Sequence, residues 1–240
     1  ATPTADININ LGGDDGIAVA YALTVLDDTS IPHPRLEVVL TVCEEVGLLG
    51  ATAMDLSSCK ATRLINIDSE IEGILTAGCA GGIRVCSELP VYRTLRTGIV
   101  TNFSLEGLIG GHSGMEIDKG RANANILLGR FLMQLNHRVD YDLIALNGGA
   151  KENVIPKDAQ FSLLVSQADL AVVEKELADF NTEIKAEYAA ADPNATLVMA
   201  SAGVSDAYVL DNDSMDKLIT ALNLMPNGVQ AMCVDLPGLV

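Results

Sequence analysis

The order in which apolar spacing switches between a period of two and a helical period constrains this chain more than any other feature. From residue 83 onward the runs 83–92 and 99–109 alternate in part, as strands with one exposed face do. An amphipathic helix follows at 122–137 (ANANILLGRFLMQLNH), then strand-like runs at 140–147 and 159–166. A second long helix at 169–191 and a strand at 196–201 complete the series. The order β-α-β-β-α-β predicts a ferredoxin-like, split β-α-β layer, an α+β unit.

The first third of the chain has a different pattern. Residues 15–27 predict a helix straight after a Gly-Gly-Asp turn, and 47–58 a shorter one. Residues 36–43 (LEVVLTVC) and 63–67 (RLINI) are dense β-branched runs of the kind found in buried strands. Helices alternating with buried strands predict an α/β unit with a mostly parallel sheet. The change of pattern sets a soft boundary near 80–84, dividing the chain into 1–82 and 83–240. Residues 211–224 read as a further helix opened by an Asp or Asn cap.

Two compositional facts narrow the function. The formal net charge is −17, with 32 acidic against 15 basic residues. Nucleic acid as a partner needs clustered Lys and Arg, and an anionic membrane surface needs the same, so both are excluded. The acidity serves solubility or draws cations. The five cysteines, Cys43, Cys59, Cys79, Cys86 and Cys233, are odd in number and contain no C-x-x-C pair. That argues against a disulfide framework or a thiolate zinc site and fits a reducing, cytoplasmic setting. No apolar run reaches the ~18 residues of a membrane-spanning helix, and the first residues lack the blocks of a signal peptide.

Acidic residues recur at one kind of position. Asp14 and Asp15 precede the first helix, Glu44 and Glu45 follow the run LEVVLTVC, and Asp68 follows RLINI. In an open α/β sheet such positions share the carboxyl-end edge where ligands bind. Carboxylates converging there repel one another unless a divalent cation neutralises them. Of two adjacent glutamates, one can bind metal while the other acts as a base toward water. Each also has an ordinary use. Asp14 or Asp15 can cap the helix, Glu44-Glu45 can be a solvated loop pair, and Asp68 a loop residue at a strand end.

The residue strings carry a resemblance. Leu11-Gly12-Gly13-Asp14-Asp15-Gly16-Ile17-Ala18, Leu40-Thr41-Val42-Cys43-Glu44-Glu45-Val46-Gly47 and Ile65-Asn66-Ile67-Asp68-Ser69-Glu70 resemble three successive segments of the aminoacyl-histidine (Xaa-His) dipeptidases. Gly78-Cys79-Ala80-Gly81-Gly82, Gly110-Gly111-His112-Ser113-Gly114, Asn147-Gly148-Gly149, Asn153-Val154-Ile155-Pro156 and Pro226-Asn227-Gly228-Val229 have counterparts in the same order. Those enzymes belong to the dinuclear zinc peptidases, with carboxypeptidase G and the aminoacylases. The resemblance implies that Asp14 bridges two divalent metal ions, zinc before manganese or cobalt, with Glu45 on one and Asp68 on the other. It implies Glu44 as the general base for a metal-bridging water that attacks the peptide carbonyl. Residues 83–240 would be the lid and dimerisation domain, incomplete at its C-terminus, through which a homodimer forms. Within it, His112 would stabilise the oxyanion, in many relatives reaching across from a partner lid, and Asn153 would hold the carboxylate end of a small dipeptide substrate. Taken alone, His112 among four glycines is also an ordinary turn histidine, and Asn153 an ordinary turn former.

The chain departs from that pattern in two places. The family's metal site also uses a histidine in an upstream His-x-Asp motif and another near the far C-terminus, whereas His33, His112 and His137 lie elsewhere. Residues 1–82 are therefore expected to be part of a catalytic domain, and the 240 residues an internal piece of a longer chain with little peptidase activity alone. Two other functions fit the same residues. One is an N-acyl-amino-acid amidohydrolase on the same scaffold, and the other a non-catalytic dimerisation module built on 83–240.

Overall fold

The computed structural model describes residues 15–44, 47–68, 72–76, 78 and 81–235. The chain divides into two compact units, Ala1–Arg84 and Val85–Val240.

The first unit contains helix α1 (Gly16–Asp27) and the short helix α2 (Leu49–Ala53). The Asp15 side chain caps α1, accepting the Ala18 N–H at 3.2 Å. That satisfies one of the N–H groups a helix start leaves without a partner. The mostly parallel sheet expected here is not found among the described residues, and the sheet that the structure does hold is antiparallel. The runs 36–43 and 63–67 form no strand and pair with none among the described residues, and Leu64 and Ile65 are 91% and 84% exposed. The physical reason is that a parallel strand exists only with neighbours to complete its hydrogen-bond ladder and helices to cover its faces. One tie links the first run to the segment just before the second. The Glu37 carboxylate accepts the N–H groups of Lys60 and Ala61 at 2.7 and 2.8 Å, which holds it below the usual carboxylate range.

The second unit runs β1 (Arg93–Glu106), β2 (Gly111–His112), a 3-10 turn (Ile117–Lys119), α3 (Ala124–Asn136), β3 (Tyr141–Gly148), β4 (Val154–Ile155), β5 (Ala159–Val165), α4 (Leu170–Glu187), β6 (Thr196–Leu210) and α5 (Asn212–Leu224). Four strands form a sheet in the order β3-β5-β1-β6, and every pairing is antiparallel. β5 lies between β1 and β3, and β1 lies between β5 and β6, which is the split β-α-β arrangement. The expected strand at 83–92 is absent, and β6 runs nine residues past the expected end at 201.

Alternation decides which face is buried. Ile99, Thr101, Phe103 and Leu105 of β1 point inward, with Phe161 and Leu163 of β5 beside them. Helix α3 presents Leu127, Leu128, Phe131, Leu132 and Leu135 to this face, and α4 presents Val173, Phe180 and Ile184. The chain's four phenylalanines, Phe103, Phe131, Phe161 and Phe180, all lie in this core and touch in series at centroid distances of 4.5–5.9 Å. Each such side chain contributes about 1.5–3 kcal/mol by leaving water. No helix among the described residues is long and apolar enough to cross a membrane.

Candidate functional site

The loop between β1 and α3 carries the site. It leaves the sheet at Gly107 (φ +79°), where a Cβ would strike the backbone of Asn194, so only glycine fits. Beyond it, Gly111 and His112 form a two-residue ribbon with β4, pairing Gly111 with Ile155 and His112 with Val154. The Ser113 N–H donates to the Asn153 carbonyl at 2.9 Å. The ribbon therefore sets His112 beside Asn153, 41 positions away in sequence. Both are exposed.

The His112 ring has a fixed role for each nitrogen. Nδ1 accepts main-chain N–H groups from Gly114 at 3.1 Å and Met115 at 3.2 Å. A neutral ring with Nδ1 as acceptor carries its proton on Nε2, so His112 presents Nε2–H as a donor. Its main chain is held too. The His112 N–H donates to Glu116 Oε2 at 2.9 Å, and the Glu116 N–H returns to the His112 carbonyl at 2.9 Å. Glu116 in turn meets Lys119 Nζ at 2.7 Å and Arg121 Nη2 at 3.1 Å. The Lys119 bond first, and the His112 N–H next, pull the Glu116 carboxyl down to about 2. Arg121 also donates to the Gly110 carbonyl. Gly111 sits at φ +141°, and a Cβ there would collide with the Arg121 and Glu116 side chains.

Beside this loop lies an open cavity of about 430 Å³, lined among others by Ser113, Arg121, Asn123, Val154, Tyr188 and Asn227. The Asn123 side chain donates to Asn227 Oδ1 at 2.8 Å, fastening the segment Pro226-Asn227-Gly228-Val229 to the start of α3. The loop's two ends meet at the buried carboxylate of Asp192, which accepts the N–H groups of Ile109 and Ala122. Glu116, Arg121 and Asp192 carry no local sequence signal for these roles. Two are charged residues in a glycine-rich turn, and the third follows an alanine run.

The acidic candidates of the first unit stand differently. Asp14 and Glu45 lie outside the described residues. Glu44 is exposed, and its carbonyl accepts the N–H groups of Gly47 and Leu48 at 3.0 and 2.9 Å. Asp68 is exposed at the end of the run RLINI. Among the described residues no three His, Cys, Asp or Glu side chains stand together as a metal site. Of the expected metal donors Asp14, Glu45 and Asp68, only Asp68 lies among the described residues. Asp15 serves as a helix cap, the ordinary use noted for it. His33 is exposed, and its Nδ1 lies 2.7 Å from the Pro34 carbonyl oxygen.

Comparison with known proteins places these features in context. Residues 103–192 match the peptidase dimerisation domain. The cytosol non-specific dipeptidase of Escherichia coli (strain K12) is 43% identical over 222 residues, covering 91% of this chain and 45% of that protein. The uncharacterized protein YqjE of Bacillus subtilis (strain 168) is 30% identical over 193 residues, covering 76% of this chain and 46% of its own length. Among solved structures, the aminoacylhistidine dipeptidase from Vibrio alginolyticus superposes with a TM-score of 0.70 at 30% identity, over 96% of this chain and 47% of that one. The chain spans about half the length of the relatives it matches.

Proposed function

We propose that this chain belongs to the family of the aminoacyl-histidine dipeptidases and that the protein hydrolyses the peptide bond of Xaa-His and related short dipeptides. The observation that carries the reading is the His112 ring, whose Nδ1 is committed to two main-chain N–H groups and leaves Nε2–H as the donor, on a ribbon whose backbone also ties in Asn153. A fixed N–H donor of this kind suits the negative oxygen that develops when water adds to a peptide carbonyl.

In this reading Asp14, Glu45 and Asp68 hold two divalent metal ions, zinc first among them, which would supply polarisation of the carbonyl and acidification of water. Glu44 takes the proton from the attacking water and delivers it to the leaving amine as the C–N bond breaks. His112 donates to the oxyanion, and Asn153 holds the carboxylate end of the dipeptide. The imidazole ligands used elsewhere in the family are absent from these 240 residues, so this stretch by itself is expected to hydrolyse little. A homodimer forms through the dimerisation domain, and the cytoplasm is the expected location.

The test is a substrate panel with the metal-replete longer protein of which this stretch is expected to be a part. Release of free histidine from Xaa-His dipeptides supports the proposal. Release of acetate or another acid from N-acyl amino acids, with dipeptides untouched, replaces it by amidohydrolase chemistry.

A further inference from the structure

The two carboxylate oxygens of Asp192 are committed to two points of one loop. Oδ1 accepts the Ile109 N–H at 2.6 Å and Oδ2 the Ala122 N–H at 2.7 Å. Between those points run residues 110–121, which include His112, Glu116 and Arg121. Asp192 is fully buried, at 0% exposure. A buried carboxylate is unfavourable unless its lone pairs are matched, and short N–H bonds to an ionised acceptor are among the stronger ones available. Closing the neck of a long loop also lowers the number of conformations open to the residues between.

Asp192 is itself fixed to the core. Its N–H donates to the Tyr188 carbonyl at 2.8 Å, and its carbonyl accepts the Ala195 N–H at 3.0 Å. Tyr188 ends α4, whose Val173, Phe180 and Ile184 are buried against the sheet. A continuous series of contacts thus leads from the core helix through Asp192 to both ends of the loop. At the loop's tip, Glu116 holds the His112 main chain, and the Gly114 and Met115 N–H groups hold its ring.

We propose that Asp192 is a positioning residue for His112, a buried carboxylate that closes the neck of the 110–121 loop and thereby fixes where the Nε2–H points. It touches neither substrate nor reacting atoms. Its catalytic consequence rests on the reading of His112 given above, but its structural action does not. Asp192→Asn is the informative change. It keeps the shape and one acceptor, and sets an NH2 against one of the two N–H groups, so one end of the neck must open.

The experiment uses the full chain, comparing D192N with the unaltered protein by amide hydrogen exchange and by ring ¹⁵N spectra of the three histidines. The expected result is a folded protein by circular dichroism, with protection at Ile109 and Ala122 reduced about tenfold or more. The His112 ring should move from the single Nε2–H form toward an average of the two neutral forms. An unchanged His112 ring alongside lost amide protection would overturn the proposal, since Asp192 would then fasten backbone only. If D192N does not fold, the unaltered chain gives the answer. Positioning requires the His112 N–H to exchange in one cooperative opening with Ile109 and Ala122, and exchange of His112 while those two stay protected overturns it. If the ring moves as expected while hydrolysis by metal-loaded protein is indifferent to both D192N and His112→Ala, the positioning stands and the oxyanion role of His112 fails.

Discussion

Phe103 and Phe161 lie face to face across β1 and β5, with ring centroids 4.5 Å apart and planes within 1° of parallel. They are register partners on adjacent strands, both only 2% exposed, and Phe131 of α3 touches both rings. Phe161→Ala would empty the centre of this cluster and is expected to destabilise the second unit by about 3–5 kcal/mol. Phe161→Leu, which keeps most of the volume, should cost under about half of that. Urea unfolding monitored by circular dichroism measures both, and equal losses would show that the cluster is not the centre of the core.

Gly111→Ala tests whether the His112 ribbon needs glycine. The residue adopts φ +141°, and an added methyl meets the Arg121 and Glu116 side chains. Forcing a Cβ into that region costs about 1–3 kcal/mol, and relief requires Glu116 to let go of the His112 N–H. The expected outcome is a protein with its core intact whose His112 amide exchanges faster. A crystal structure of the variant with the Glu116–His112 bond unaltered would count against this account.

Much of the second unit was legible because its signals are local. The spacing of Leu127, Phe131 and Leu135 marks α3, and Asp211, which accepts the Ser214 N–H at 2.9 Å, marks the start of α5. The end of β6 was not, because Ala202 and Gly203 break the β-branched pattern. The strand continues on its ladder to β1, with a register shift at Val100/Thr101 and Gly203 at φ +86°. The runs 36–43 and 63–67 have the composition of buried strands, but composition supplies no partner strand. His112 and Asn153 are marked by motif strings alone, and nothing in the sequence marks Asp192. Its partners lie 83 and 70 positions earlier, and no local pattern announces a bond over that separation.

The dimerisation domain at 103–192 yields a prediction independent of catalysis. The sheet to which these residues contribute ends at β3 on one side and at β6, just beyond the matched stretch, on the other, and the outer edge of each has no strand partner among the described residues. An edge of this kind offers main-chain groups to a second copy. Sedimentation is expected to give about twice the 25.2 kDa chain mass, with zinc or with chelator alike. A monomer under both conditions would remove the homodimer.

The acid limb of stability should report Glu116. Its folded value of about 2 lies below the ordinary 4.5, chiefly through the Lys119 bond and then the His112 N–H. A depressed carboxyl stabilises the fold above its unfolded value and loses that contribution as pH falls through the folded one. The unaltered protein should therefore exceed Glu116→Gln in stability above pH 4.5, and the gap should close progressively down to about pH 2. Thermal melts of the two proteins across that range measure it. A gap constant with pH would mean that the carboxylate's charge does not hold the loop.

His112 is the residue on which the catalytic reading turns. A donor that meets the oxygen only as charge develops lowers the barrier without tightening substrate binding, so its removal should appear in kcat and not in KM. His112→Ala in the metal-replete longer protein is expected to lower kcat about 10²–10³-fold on Xaa-His dipeptides, with KM changed little. The committed Nδ1 sharpens the expectation, because the Gly114 and Met115 N–H groups would then lose their acceptor and the turn would loosen. His112→Gln separates the two effects. Its amide can still offer a donor, so partial recovery of kcat over His112→Ala would assign the loss to the missing Nε2–H. Equal loss in both, with the 110–121 amides exchanging freely in both, would assign it to the collapsed turn. An undiminished kcat in both would leave His112 a turn residue and withdraw its part in the chemistry.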